Sequence, residues 1–149
     1  MPSVPIRFQD ISGRLSDDPS GAPVVEVVLR FDPLTGSGRR TIEWTKKTIA
    51  LIDSGADLNA IDPSFLSETN LPALGVAHAM GATSTIKTTR HVGHLFFPEI
   101  GLQFETDFLV VPLRDNRRHY DALIGRLVLS RGALILDYIR NDFRLEFQI

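Results

Sequence analysis

The chain has no cysteine. That excludes disulfides, thiolate metal sites and thiol nucleophiles, and it leaves the compartment open. Neither sign of charge is in excess. A formal −2 gives no broad attraction to nucleic acid or to an anionic membrane surface. No apolar run approaches the length of a membrane span, and the opening stretch MPSVPIRFQD lacks the apolar centre of a signal peptide. A cytoplasmic protein with neither a nucleic-acid nor a membrane partner is the expectation. There is no Gly-x-Ser-x-Gly elbow to raise a serine nucleophile, no low-complexity tract and no array of short repeats. Histidine offers no ligand pattern either. His91 and His94 are three apart, which on a strand points them to opposite faces, and His78 and His119 have no obvious partner. The expectation is no metal and no cofactor. The basic pairs in GRR and NRRH read as solvated loops.

What is present is an ordinary globular composition, 43% apolar over 149 residues, enough for one domain spanning 1–149. Its pattern is strands and turns. PVVEVVLRF (Pro23 to Phe31) is β-branched and predicts a strand. DPLTGSG (Asp32 to Gly38) is dense in turn residues. In RRTIEWTKKTIALI, Ile42 and Trp44 share a parity with Ala50 and Ile52, with Trp44 read as a core or sheet aromatic. Lys46 breaks that stripe, which suggests a bulge or an exposed edge. VAHAMGATSTIKTTRHV predicts a hairpin with Gly81 near its tip. In GLQFETDFLVVP, Leu102, Phe104, Phe108 and Val110 share one face, and in NDFRLEFQI, Phe143, Leu145 and Phe147 do. Two short helices fit. One starts at Asp62-Pro63, with Phe65 and Leu66 facing the core. The other follows ALIG and could end at Gly132. Many short strands and few helices predict an all-β barrel or sandwich.

One stretch carries chemistry. TIALIDSGADLNAID drives an apolar strand (Ile49 to Ile52) straight into Asp53 and turns on Ser54-Gly55. A carboxylate at the end of a buried strand is costly unless something pairs with it or uses it. An Asx-capped turn is the plain reading of that triplet alone. An internal echo adds to it. ALIDSGADL (Ala50 to Leu58) and ALIGRLVL (Ala122 to Leu129) both run an apolar strand into a glycine turn, as a domain of two similar halves would. The remaining aspartates, Asp121 and Asp137 among them, read as loop or solvent-facing charges, and Asp62 as a helix cap.

With LIDSGAD, the hairpin and ALIGR in this order, the chain resembles the retropepsin-like aspartic proteases, the single-domain relatives of retroviral proteases, from about Val24 to Phe147. The resemblance implies a closed all-β barrel with a flap hairpin and one or two short helices. It also implies a homodimer in which Asp53 of each subunit forms the catalytic pair. Ser54 would brace the two loops across the dimer. Gly55 would let the backbone turn tightly, and Ala56 would keep the cleft floor low. Asp57 and Arg126 would form an ion pair, read as crossing between subunits, that ties the loop to the helix region; the plain reading is a surface pair worth little. Gly125 would sit behind the loop where a side chain would collide. Met80, Gly81, Ala82 and Thr83 would form the flap tip over a peptide substrate. The terminal segments Val4 to Phe8 and Arg144 to Ile149 would interleave in the dimer. The activity implied is peptide-bond hydrolysis by an aspartate-activated water. Two other readings stand beside it: the same fold as a peptide-binding or dimerisation module, and an unrelated β-barrel that binds a small molecule. The sequence departs from retroviral relatives at MGATST, which is poorer in glycine, and at Leu127, where many relatives are polar.

Overall fold

The computed structural model describes residues 1–31, 44–65, 75–80, 85–115 and 118–148. Strands dominate: β1 (Ser3–Pro5), β2 (Arg7–Gln9), β3 (Leu15–Ser16), β4 (Ala22–Phe31), β5 (Trp44–Ile52), β6 (Asn59–Ile61), β7 (Gly75–Met80), β8 (Thr85–Phe97), β9 (Leu102–Val110), β10 (Ala122–Ile124), β11 (Gly132–Asp137) and β12 (Asp142–Phe147). Helix α1 (Arg126–Leu129) is a single turn. A second helix begins at Ser64 and Phe65, as the Asp62-Pro63 start predicts; Leu66 lies outside the described residues. Among the described residues no helix is long and apolar enough to cross a membrane.

Six strands close on themselves in the order β4-β5-β10-β6-β9-β8, and β8 returns to β4 through Val28↔Phe96, Leu29↔Leu95 and Arg30↔His94. The all-β barrel that the alternating segments predict is therefore the observed architecture. Period-two patterning explains it. On β4, Val25, Val27, Leu29 and Phe31 are buried, and on β9, Phe104, Thr106, Phe108 and Val110 are. The strand ends β7 and β8 extend as an antiparallel hairpin from Gly75↔Arg90 to Met80↔Thr85. β1, β12 and β11 form a separate three-stranded sheet. Its inner residues Val4, Leu145 and Phe147 join the barrel core. Phe147 stacks 5.1 Å from Phe97, so one apolar cluster ties the two sheets together. The termini thus pair with each other inside one chain, Val4 opposite Leu145.

The sequence echo becomes a spatial pair. β5 and β10 lie side by side and parallel, with Ala50↔Ala122, Leu51↔Leu123 and Ile52↔Ile124 in register. The Asp53 turn and the Gly125 turn therefore leave the same end of the barrel next to each other.

Three expectations are corrected. β5 carries no bulge at Lys46: its register with β4 is continuous from Leu51 to Trp44. Lys46 interrupts the apolar stripe because it has a partner on that face. Its ammonium lies 3.8 Å from the Asp121 carboxylate and 4.9 Å from the centre of the Phe65 ring. Asp121 is accordingly no solvent-facing charge. It is buried, ion-paired with Arg114 and within 3.4 Å of the Thr48 hydroxyl. Gly132 does not end α1; Ser130 does, and Gly132 opens β11. A side chain there would run into the Glu146 carbonyl of the neighbouring strand, so the glycine serves close backbone approach.

Candidate active site

Asp53 directly follows Ile52, the last residue of β5, and is half-buried, with Ser54 and Gly55 exposed beyond it. The turn is held by three bonds. The Asp53 amide donates to the Ile124 carbonyl at 3.0 Å, the Ala56 amide donates to the Asp53 carbonyl at 3.2 Å, and the Gly55 amide donates to Asp53 Oδ1 at 2.9 Å. The last bond orients the carboxylate and leaves Oδ2 outside this contact. Ser54 has no hydrogen-bond partner among the described residues.

The Gly125 turn backs this loop. The Arg126 amide donates to the Ala56 carbonyl at 2.8 Å and the Leu127 amide to the Asp57 carbonyl at 3.1 Å. A Cβ on Gly125 would overlap the Leu58 carbonyl and come within 2.8 Å of the Ala56 carbonyl. The Arg126 guanidinium meets the Asp57 carboxylate within the chain. Both side chains are largely exposed, so the pair adds little stability, and the two backbone bonds do the joining.

Beside the loop lies a cleft of about 390 Å³, within the range of small-ligand and side-chain sites. Its floor is Gly55 to Ala60. Leu109, Val111, Leu113 and Leu123 form an apolar wall, and His78, Ala79 and Ile86 of the β7–β8 hairpin line the other side. The structure thus brings Gly55, Ala56 and Asp57 to one cleft with the hairpin. Met80 closes β7, while Gly81, Ala82 and Thr83 lie outside the described residues. A larger hollow of about 670 Å³, between Gln9–Ile11, Ser20–Ala22 and Arg118–Tyr120, shares no lining residue with the Asp53 loop. The smaller cleft is the one lined by Gly55, Ala56 and Asp57 of the Asp53 loop, whereas the carboxylate at the larger hollow is Asp10. Among the described residues no group of three or more His, Asp or Glu side chains converges as metal ligands would.

Asp62 fixes the cleft wall. Its Oδ2 caps the helix start at the Ser64 amide, 3.0 Å, and its Oδ1 takes the Leu113 and Arg114 amides at 2.9 and 3.1 Å. Burial pushes this carboxyl up, but the bonds from Ser64, Arg114 and Leu113 outweigh it and hold it below its ordinary 3.8. Next to it, the hydrogen bond to Asp121 raises Arg114 further above its own ordinary value. A carboxyl whose folded value lies below its unfolded one stabilises the fold above the unfolded value, and that stability is lost as pH falls through the folded value. Asp62→Asn is therefore expected to cost about 1–3 kcal/mol at pH 7, because three amide donors lose a charged acceptor. Urea unfolding at pH 7 and again at pH 3 checks this: the gap between variant and wild type should narrow at the lower pH.

Sequence reading missed Asn59. It is fully buried, and it bonds Gly125, Thr106 and Asp107. The available signal was a polar residue in the apolar run Leu58 to Ile61, which needs partners wherever it is buried.

No protein-family model matches this chain, and no curated protein does. Among solved structures, a retropepsin-like aspartic protease from Rickettsia conorii aligns over 98% of this chain and 92% of its own, with a TM-score of 0.53 and 13% sequence identity. At that identity the likeness speaks for the backbone arrangement, and the barrel described above is a retropepsin-like all-β fold.

Proposed function

We propose that this chain is one half of a homodimeric aspartic endopeptidase, with Asp53 of each copy forming the catalytic pair. The observation that carries the reading is the placement of Asp53. It sits on a turn hung from the Ile124–Gly125 peptide, and the next residues of that loop, Gly55 to Asp57, line an apolar cleft together with a β-hairpin. The sister turn beside it carries glycine instead of a carboxylate, so a second acid must come from a second copy.

Two carboxylates brought together share one proton, because both cannot ionise at close range. The ionised one takes a proton from a water held between them. The water oxygen bonds to the peptide carbonyl carbon, and the protonated carboxyl gives its proton to the carbonyl oxygen. Collapse breaks the C–N bond, with the proton passing to the amine nitrogen. The pair titrates as a unit. Ser54, exposed at the turn, is available to bond the opposite loop. The hairpin of β7 and β8 offers backbone to an extended peptide in the manner of an added strand. The wall of Leu109, Val111, Leu113 and Leu123, faced by Ile86 of the hairpin, suits an aliphatic side chain next to the scissile bond.

Peptide-library cleavage read by mass spectrometry, from about pH 4 to 7, tests the reading. Cuts should cluster beside aliphatic residues. Specific activity should rise with protein concentration, because an obligate dimer dissociates when dilute. A folded, dimeric protein that cuts nothing would instead be a peptide-binding or dimerisation module on the same fold.

A further inference from the structure

We infer that Asn59 is a positioning residue for Asp53, acting through the Ile124–Gly125 peptide. This rests on the reading of Asp53 as the catalytic acid. One peptide unit carries the connection. Its carbonyl, on Ile124, accepts the Asp53 amide at 3.0 Å. Its amide, on Gly125, donates to Asn59 Oδ1 at 3.0 Å. The plane that suspends the Asp53 turn is therefore pinned from the opposite side by a side chain with no exposed surface.

The chemistry of that position calls for a carboxamide. Gly125 N–H can only donate, so the group facing it must accept. The Asp107 carbonyl can only accept, so the group facing it must donate. Asn59 meets both demands: Nδ2 donates to the Asp107 carbonyl at 3.3 Å and to the Thr106 hydroxyl at 2.9 Å. These neighbours fix which way the amide points. A carboxylate would lack the donors, and an aliphatic side chain would leave Gly125 N–H buried and unpaired. Asn59 thus joins β6, β9 and the Gly125 turn at one point, and β9 also supplies Leu109 to the cleft wall. Catalytic carboxylates depend on placement at the scale of an ångström, so a loosened Ile124–Gly125 plane would show in turnover rather than in substrate affinity.

The test compares wild type, Asn59→Asp and Thr106→Val in the full chain, using a peptide substrate identified from the library. Asn59→Asp should lower kcat about 100-fold near neutral pH with KM little changed. Its pH profile should be displaced toward acid, because protonating the new carboxyl restores a donor beside an acceptor. Thr106→Val, which removes one acceptor and keeps the side-chain shape, should lower kcat about threefold to tenfold, and it carries the test if Asn59→Asp fails to fold. Amide hydrogen exchange is measured in parallel. Protection should drop at Asp53 and Gly125 ahead of the core strand amides, such as that of Val27. Folded variants with wild-type kcat and unchanged exchange at Asp53 and Gly125 would overturn the assignment, as would a loss confined to KM or an exchange change spread evenly over β4. If wild type itself cuts nothing, the protease reading fails, and the exchange arm still decides whether Asn59 holds the turn.

Discussion

Asp53→Asn is expected to remove peptide cleavage by a factor of about 10⁴ or more while leaving the fold intact. In a homodimer the substitution deletes both carboxyls at once, hence the acid and the base together, and each such role is worth about 10²–10⁴ in rate. Stability should change by no more than about 0.5 kcal/mol. The bonds that hold the turn use the Asp53 backbone, and an amide oxygen can still accept the Gly55 amide at the place Oδ1 occupies. Thermal unfolding and cleavage of the library peptides by the purified variant check the two halves of this expectation. A mixing experiment adds the requirement for a pair. When equal amounts of wild type and variant exchange subunits freely, only about one dimer in four keeps two Asp53 side chains. Activity should follow that fraction if the carboxylates work in pairs. Activity proportional to the wild-type protomers present would mean that each Asp53 acts alone.

Gly125→Ala is expected to be the most destabilising small substitution near the site, costing about 3–5 kcal/mol out of a typical total of about 5–15. Backbone strain is not the reason, because Gly125 has an extended conformation with φ −101°. The reason is the neighbourhood. The added methyl would strike the Leu58 carbonyl and crowd that of Ala56, and both are main-chain atoms that cannot swing aside. Moving either one breaks the bonds from Arg126 and Leu127 to the loop, or the bond from Gly125 to Asn59. Urea unfolding at neutral pH measures the loss. A variant as stable as wild type would mean that the two turns are not packed as described. Because the same contacts suspend Asp53, a Gly125→Ala protein that still folds should also cleave poorly.

The amino-acid sequence by itself determined the elements whose causes are local. Strand β4 follows from its β-branched content, β9 and β12 from alternation over a few residues, the Asp62-Pro63 helix start from cap chemistry, and the hairpin from its turn residues. The Asp53-Ser54-Gly55 turn and its echo at Gly125 were legible for the same reason, since a strand that ends in a glycine turn is a short-range pattern. Tertiary structure decided the rest. Whether Lys46 marked a bulge or a partner depended on Asp121, which follows it at a distance along the chain and meets it only because β5 and β10 are neighbours. Asp121 reads as a loop charge in the sequence, and only the fold brings Arg114, Thr48 and Lys46 around it. Gly132 looked like a helix stop because its true constraint is the Glu146 carbonyl across a sheet. Asn59 is not legible from its neighbours because its partners lie 47 to 66 residues away. Turn and strand preferences are set by the nearest few residues. The worth of a buried polar group is set by which strands the fold places against it, and strand order and register are properties of the closed barrel as a whole.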